Sequence, residues 1–117
     1  MPIHNKKHIL DLNSALKASA GNKKLAISLL EVFIQQLSEY HYNIKKYLHI
    51  GDYNLLEAII HKLNGAIQYI GAPELHHMLQ ELDGKVKTLN RNDIIHKIEP
   101  IIEQLELIAE IKEYPEN

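Results

Sequence analysis

Apolar residues return every three or four positions along nearly the whole chain, and the alternation that marks half-buried strands is missing. A chain with that period can hide its apolar side chains only as amphipathic helices packed stripe against stripe, so the fold class is all-α. Breaks in the pattern set the number of helices. Gly21-Asn22, Gly51-Asp52, Gly71-Ala72-Pro73 and Asn90-Arg91-Asn92 interrupt it with residues that end, cap or turn helices. Between them the spacing predicts four long helices over about 23–50, 53–70, 73–89 and 93–113, after a lead-in over 1–22 with a short helix around Asp11 to Ser19.

The expected buried stripes are aliphatic. The first carries Ala26, Leu30, Phe33, Leu37, Ile44 and Leu48, and the second Leu56, Ile59, Ile60, Leu63, Ile67 and Ile70. The third carries Leu75, Met78, Leu79, Leu82, Val86 and Leu89, and the fourth Ile94, Ile95, Ile98, Ile101, Ile102, Leu105 and Ile108. Asp52 or Asn54 is placed to cap the second helix, and Pro100 either kinks the last one or divides it in two. Links this short make sequential helices antiparallel neighbours. The expected architecture is one domain over 1–117, an antiparallel up-down four-helix bundle with a short extra N-terminal helix.

Composition removes several function classes. A formal charge of −2 leaves no overall basic field, so neither nucleic acid nor an anionic membrane is an expected partner. With no cysteine there are no disulfides, thiolate metal sites or thiol nucleophiles. No apolar run reaches the roughly 18 residues of a membrane span, and the start Met1 to Lys7 lacks the apolar stretch of a signal peptide. Glu74-Leu75-His76-His77 supplies one Glu-x-x-His spacing of the kind di-iron bundles use, but there is no second copy and the inner stripes are aliphatic, so no metal site is expected. The six tyrosines read as core filler and core-edge packing.

Opposite the core stripe of the second helix lie Glu57, His61, Asn64, Gly65 and Gln68. At about 3.6 residues per turn, Asn64 and Gly65 lie one turn beyond His61 and Glu57 one turn before it. A glycine inside a helix costs about 1 kcal/mol relative to alanine, and beside an outward histidine it clears backbone for a bulky group or a docking loop. An exposed imidazole has an unperturbed pKa of about 6.5, so near neutrality it offers a nucleophilic ring nitrogen. A carboxylate accepting a hydrogen bond from Nδ1–H would leave Nε2 to attack, and Asp83 on the next helix is the candidate for that role. Lys62 adds a positive charge beside the histidine, although consecutive helical residues do not share a face. There is no neighbouring serine or cysteine and no glycine-rich phosphate loop, which argues against a hydrolase or a kinase.

The run His61-Lys62-Leu63-Asn64-Gly65-Ala66, continued by Ile67-Gln68-Tyr69-Ile70-Gly71-Ala72-Pro73-Glu74-Leu75 and closing at Glu81-Leu82-Asp83, resembles the signature of histidine-containing phosphotransfer (HPt) domains. That signature is approximately H-x-L-K-G-[SA], a second glycine, and a leucine-bearing helix ending in an acidic residue. The run looks most like the C-terminal HPt domains of BarA-type unorthodox hybrid sensor kinases. The resemblance implies that His61 is phosphorylated and that Gly65 provides clearance. It also implies that the partners are receiver domains of a hybrid sensor kinase and a response regulator. It implies no cofactor in this chain, the magnesium belonging to the receiver, and a cytoplasmic location, either free or as the C-terminal part of a membrane-anchored kinase. One position departs from the signature: Asn64 stands where the family usually has a lysine. Its amide can donate to a phosphoryl oxygen but brings no charge, so the phosphohistidine is expected to be either less stabilised or more dependent on Lys62. A second reading therefore stands beside the phosphocarrier, namely a docking module that binds a receiver without phosphotransfer.

Overall fold

The computed structural model of the chain describes residues 6–115. Its elements are α1 (Lys6–Ile9), α2 (Leu12–Ala18), α3 (Lys23–Ile50), α4 (Tyr53–Ile67), α5 (Pro73–Leu82), a 3-10 turn (Val86–Thr88) and α6 (Arg91–Ile111), with no strand among the described residues. Short polar side chains set the starts. Asp11, Asn22, Asp52 and Asn90 each accept a hydrogen bond from the backbone N–H three residues on, at 2.8–3.2 Å, satisfying a donor that the helix itself leaves free. Pro73 opens α5, where a missing N–H costs nothing. Gly51, with φ 74°, closes α3 in the left-handed conformation.

Helices α3 to α6 form the bundle. α3 packs on α4 and α6, and α5 packs on the same two, so the four close around one core. Leu30, Phe33, Leu37, Ile44, Leu56, Ile60, Leu63, Ile67, Leu75, Leu79, Leu82, Ile94, Ile98, Ile101, Leu105 and Ile108 are all buried there. Each such side chain contributes about 1.5–3 kcal/mol, which is what makes the stripes decisive over local propensity. α1 lies against α5 and α6, and α2 against α3. The antiparallel bundle expected from the apolar period is the observed fold.

Gly71 joins the lead-in to the bundle. Its carbonyl accepts from Asp11 N at 2.7 Å, and a Cβ at this position would strike the Asp11 carbonyl oxygen and come within 2.8 Å of Ala15 N. Only glycine allows this approach at φ 73°.

Several boundaries differ from expectation. The third bundle helix stops at Leu82 rather than near Leu89: Asp83 turns to φ −58°, ψ 125°, and Gly84 takes φ 77°. Val86 and Leu89 still face the core because the 3-10 turn carries them back to it. The second ends at Ile67 instead of Ile70, since the turn into Gly71 begins at Gln68. The last begins at Arg91, before Asp93, because Asn90 is its cap; it ends at Ile111, before Glu113, where Lys112 takes φ 63°. Pro100 does not divide it. α1 has no counterpart among the expected elements. Tyr42 and Tyr69, read as packing residues, are exposed. The start of the lead-in, Met1 to Asn5, lies outside the described residues. Among the described residues no helix is long and apolar enough to cross a membrane.

Candidate functional site

His61 projects from the middle of α4, with 78% of its side chain exposed. The abrupt end of α5 decides its surroundings. Because the chain leaves the helix at Asp83, that carboxylate stands over the polar face of α4 and meets the imidazole: Nδ1 lies 3.0 Å from Oδ1 and 3.1 Å from Oδ2. An ionised carboxylate has no proton to give, so the ring nitrogen facing it carries the N–H and donates. In the neutral ring the other nitrogen, Nε2, is then the one without a proton and the one able to attack as a nucleophile.

Asn64 completes a chain of three residues, its Nδ2 donating to Asp83 Oδ2 at 2.9 Å. The expectation that Asn64 faces solvent is corrected. It is buried, at 9% exposure, because Asp83 and the end of α5 cover that part of α4. Its Oδ1 has no hydrogen-bond partner among the described residues.

Glu57, one turn before His61, is half-buried under the 3-10 turn; Oε1 accepts from Val86 N at 2.9 Å and Oε2 lies 3.7 Å from Lys87 Nζ. Gly65 is exposed, and a Cβ built on it meets nothing within 4 Å, so neither packing nor backbone geometry demands a glycine there. Two predicted residues stand apart from this group. Lys62 places its ammonium 5.9 Å from the centroid of the Tyr40 ring on α3, a cation–π distance, on the side of α4 that faces α3. Burial pushes the Tyr40 phenol up from its ordinary pKa, and Glu39 adds to the shift. Gln68 is exposed at the C-terminal end of α4, about two turns from His61.

Sequence reasoning missed Val86, which acts through its backbone N–H and leaves no residue-type signal, and Tyr40, which lies on another helix. Gly84 carried a signal for the loop that presents Asp83, since it interrupts the third helix where the apolar stripe continues. Among the described residues no group of three or more histidine and carboxylate side chains is arranged to hold a metal ion.

A family model described as the Hpt domain matches residues 28–113 of this chain. The chain belongs to the Hpt domain family. The resemblance carried by the His61 to Asp83 run is thus upheld across most of the bundle, and the family is one of phosphotransfer carrier domains. The sensor histidine kinase GacS of Pseudomonas protegens is 30% identical over 79 residues, covering 68% of this chain and 9% of the kinase. The histidine-protein kinase BarA of Shigella flexneri is 28% identical over 107 residues, 92% of this chain and 11% of BarA, and BarA of Escherichia coli gives the same figures. This Hpt domain therefore spans about a tenth of the length of the curated relatives it matches. Its fold is that of the crystallised Hpt domain of a sensor hybrid histidine kinase from Shewanella, with a TM-score of 0.85 at 24% identity, covering 91% of this chain and 92% of that one.

Proposed function

We propose that His61 is the phosphocarrier of a phosphorelay. It accepts a phosphoryl group from an aspartyl phosphate on the receiver domain of a hybrid sensor kinase and passes it to the receiver of a response regulator. One observation carries this reading: the Nδ1 contact with Asp83 leaves Nε2 of an exposed imidazole as the free nucleophile. In the forward step the Nε2 lone pair attacks phosphorus, the bond from phosphorus to the aspartyl oxygen breaks, and its electron pair returns to the aspartate as carboxylate. The neutral imidazole becomes an N-phosphoimidazolium whose positive charge faces Asp83. The reverse step runs through the same atoms to the second receiver, and the protonated ring is the better leaving group.

The bare backbone at Gly65 gives the receiver loop its approach, and Gln68 lies on the same docking face. Residues that gather acidic ligands for a divalent cation belong to the receiver in this scheme, and the chain acts as a carrier with no kinase activity of its own. Receivers place the reaction in the cytoplasm, with the chain either free or forming the C-terminal part of a larger sensor.

A docking-only reading has one observation in its favour. The two residues expected to serve the phosphoryl group, Lys62 and Asn64, are engaged with Tyr40 and Asp83. Incubation with a radiolabelled phosphorylated receiver separates the two readings. Acid-labile, alkali-stable label on the wild type and none on His61→Gln is the expected result; a folded wild type that binds the receiver and takes no label would leave only docking.

A further inference from the structure

We infer that Asn64 is a positioning residue for the transfer: its buried amide fixes the Asp83 carboxylate, and the carboxylate in turn holds the proton on Nδ1 of His61 so that Nε2 is the nucleophile. This inference rests on His61 being the phosphocarrier and assigns Asn64 to the acid rather than to the phosphoryl group.

Asp83 stands at the very end of α5, followed by Gly84 in the left-handed region. No helical backbone flanks it on the C-terminal side, and among the described residues its only side-chain partner besides Asn64 is an imidazole that is 78% exposed and open to competing water. Among the described residues no other hydrogen bond holds the orientation of this carboxylate. Asn64, by contrast, is held in the last turn of α4, one turn from His61 and buried, so its Nδ2 is a fixed donor at 2.9 Å from Oδ2. With Oδ2 anchored, the carboxylate is turned toward Nδ1.

The fold by itself does not call for an amide at this position. Asn64 Oδ1 is buried without a partner among the described residues, a cost that leucine, branched at the same carbon but apolar, would avoid. The half of the amide that is satisfied is the half that faces Asp83. A neutral donor also anchors the acid without neutralising it, which leaves the full carboxylate charge for the imidazolium formed when Nε2 takes the phosphoryl group. An ammonium at the same place would compete for that charge.

The test compares the full chain with Asn64→Leu and, as a variant that adds no bulk, Asn64→Ala. The ring nitrogens of His61 are followed by 15N NMR and phosphoryl uptake is followed from a phosphorylated receiver. In the wild type the Nδ1–H tautomer dominates. In both variants it gives way to the Nε2–H form that free imidazole side chains prefer, and uptake slows by about tenfold. Asn64→Leu is expected to melt at or above the wild-type temperature, which separates positioning from loss of fold. Variants that keep the Nδ1–H tautomer and the wild-type rate overturn the inference. The tautomer is read without any receiver, so a wild type that takes no label would count against the phosphocarrier reading while the tautomer result still decides the role of Asn64.

Discussion

The carboxylate of Glu57 accepts the backbone N–H of Val86 at 2.9 Å, tying the middle of α4 to the turn that follows Asp83. The loop bearing the acid is thereby fastened on both sides of His61, by Asn64 one turn after it and by Glu57 one turn before. Val86 is wholly buried, so removing its acceptor leaves an unpaired donor. Glu57→Ala is expected to cost about 1–3 kcal/mol in urea unfolding and to slow phosphoryl uptake by loosening Asp83. Glu57→Gln keeps the acceptor and should lose far less, because the 3.7 Å contact with the exposed Lys87 contributes little. Equal losses in the two variants would mean that charge, and not the Val86 bond, is what matters.

Gly65 should show stability and function moving in opposite directions. Nothing lies within 4 Å of a Cβ built there, so Gly65→Ala is expected to raise stability by about 0.5–1 kcal/mol through helix propensity alone. Gly65→Gln should also fold, while uptake from a phosphorylated receiver falls by an order of magnitude as the side chain enters the space the docking loop needs. A wild-type transfer rate in Gly65→Gln would refute the clearance argument.

Gly71 should behave in the opposite way. Alanine here needs φ 73° and would bring its Cβ to 2.8 Å from Ala15 N and 2.9 Å from Ala15 Cβ, with the Asp11 carbonyl also in the way. Gly71→Ala is expected to destabilise the protein by about 3 kcal/mol, seen as a lower denaturation midpoint, with α2 displaced from the bundle. With these outcomes the two glycines of the signature would serve different ends, Gly71 the fold and Gly65 the surface.

The apolar period made the bundle legible because four stripes of Leu and Ile can be buried in few other ways. His61 and Asp83 were legible too, one as the histidine beside an interior glycine and the other as an acid on the following antiparallel helix. What periodicity could not show is where a helix stops while its stripe continues. Val86 and Leu89 remain in phase with Leu82 although the helix has ended, since the 3-10 turn returns them to the core. Gly84, the residue that permits the break, was the neglected signal. Asn64 was misread for a related reason: its position on the face opposite the core holds for an isolated α4, but Asp83 covers that face, and which polar residues become buried depends on tertiary contact.

Tyr114 provides a test of how the chain's C-terminal end is held. Its hydroxyl donates to the Ile70 carbonyl at 2.6 Å, and burial pushes the phenol from 10.0 up to about 12. The folded state therefore favours the neutral phenol. The resulting stability is fully present below pH 10, where folded and unfolded chains are both protonated, and is lost as pH rises from 10 toward 12. A full shift of this size corresponds to roughly 2.7 kcal/mol, and partial exposure of the ring reduces the expected effect to about 1 kcal/mol. Tyr114→Phe should cost about 1 kcal/mol at neutral pH through loss of the hydrogen bond, and the gap between variant and wild type should close as denaturation is repeated up to pH 12. A gap that stays constant across that range would show that the phenol does not titrate differently in the folded state and that its bond to Ile70 alone accounts for the difference.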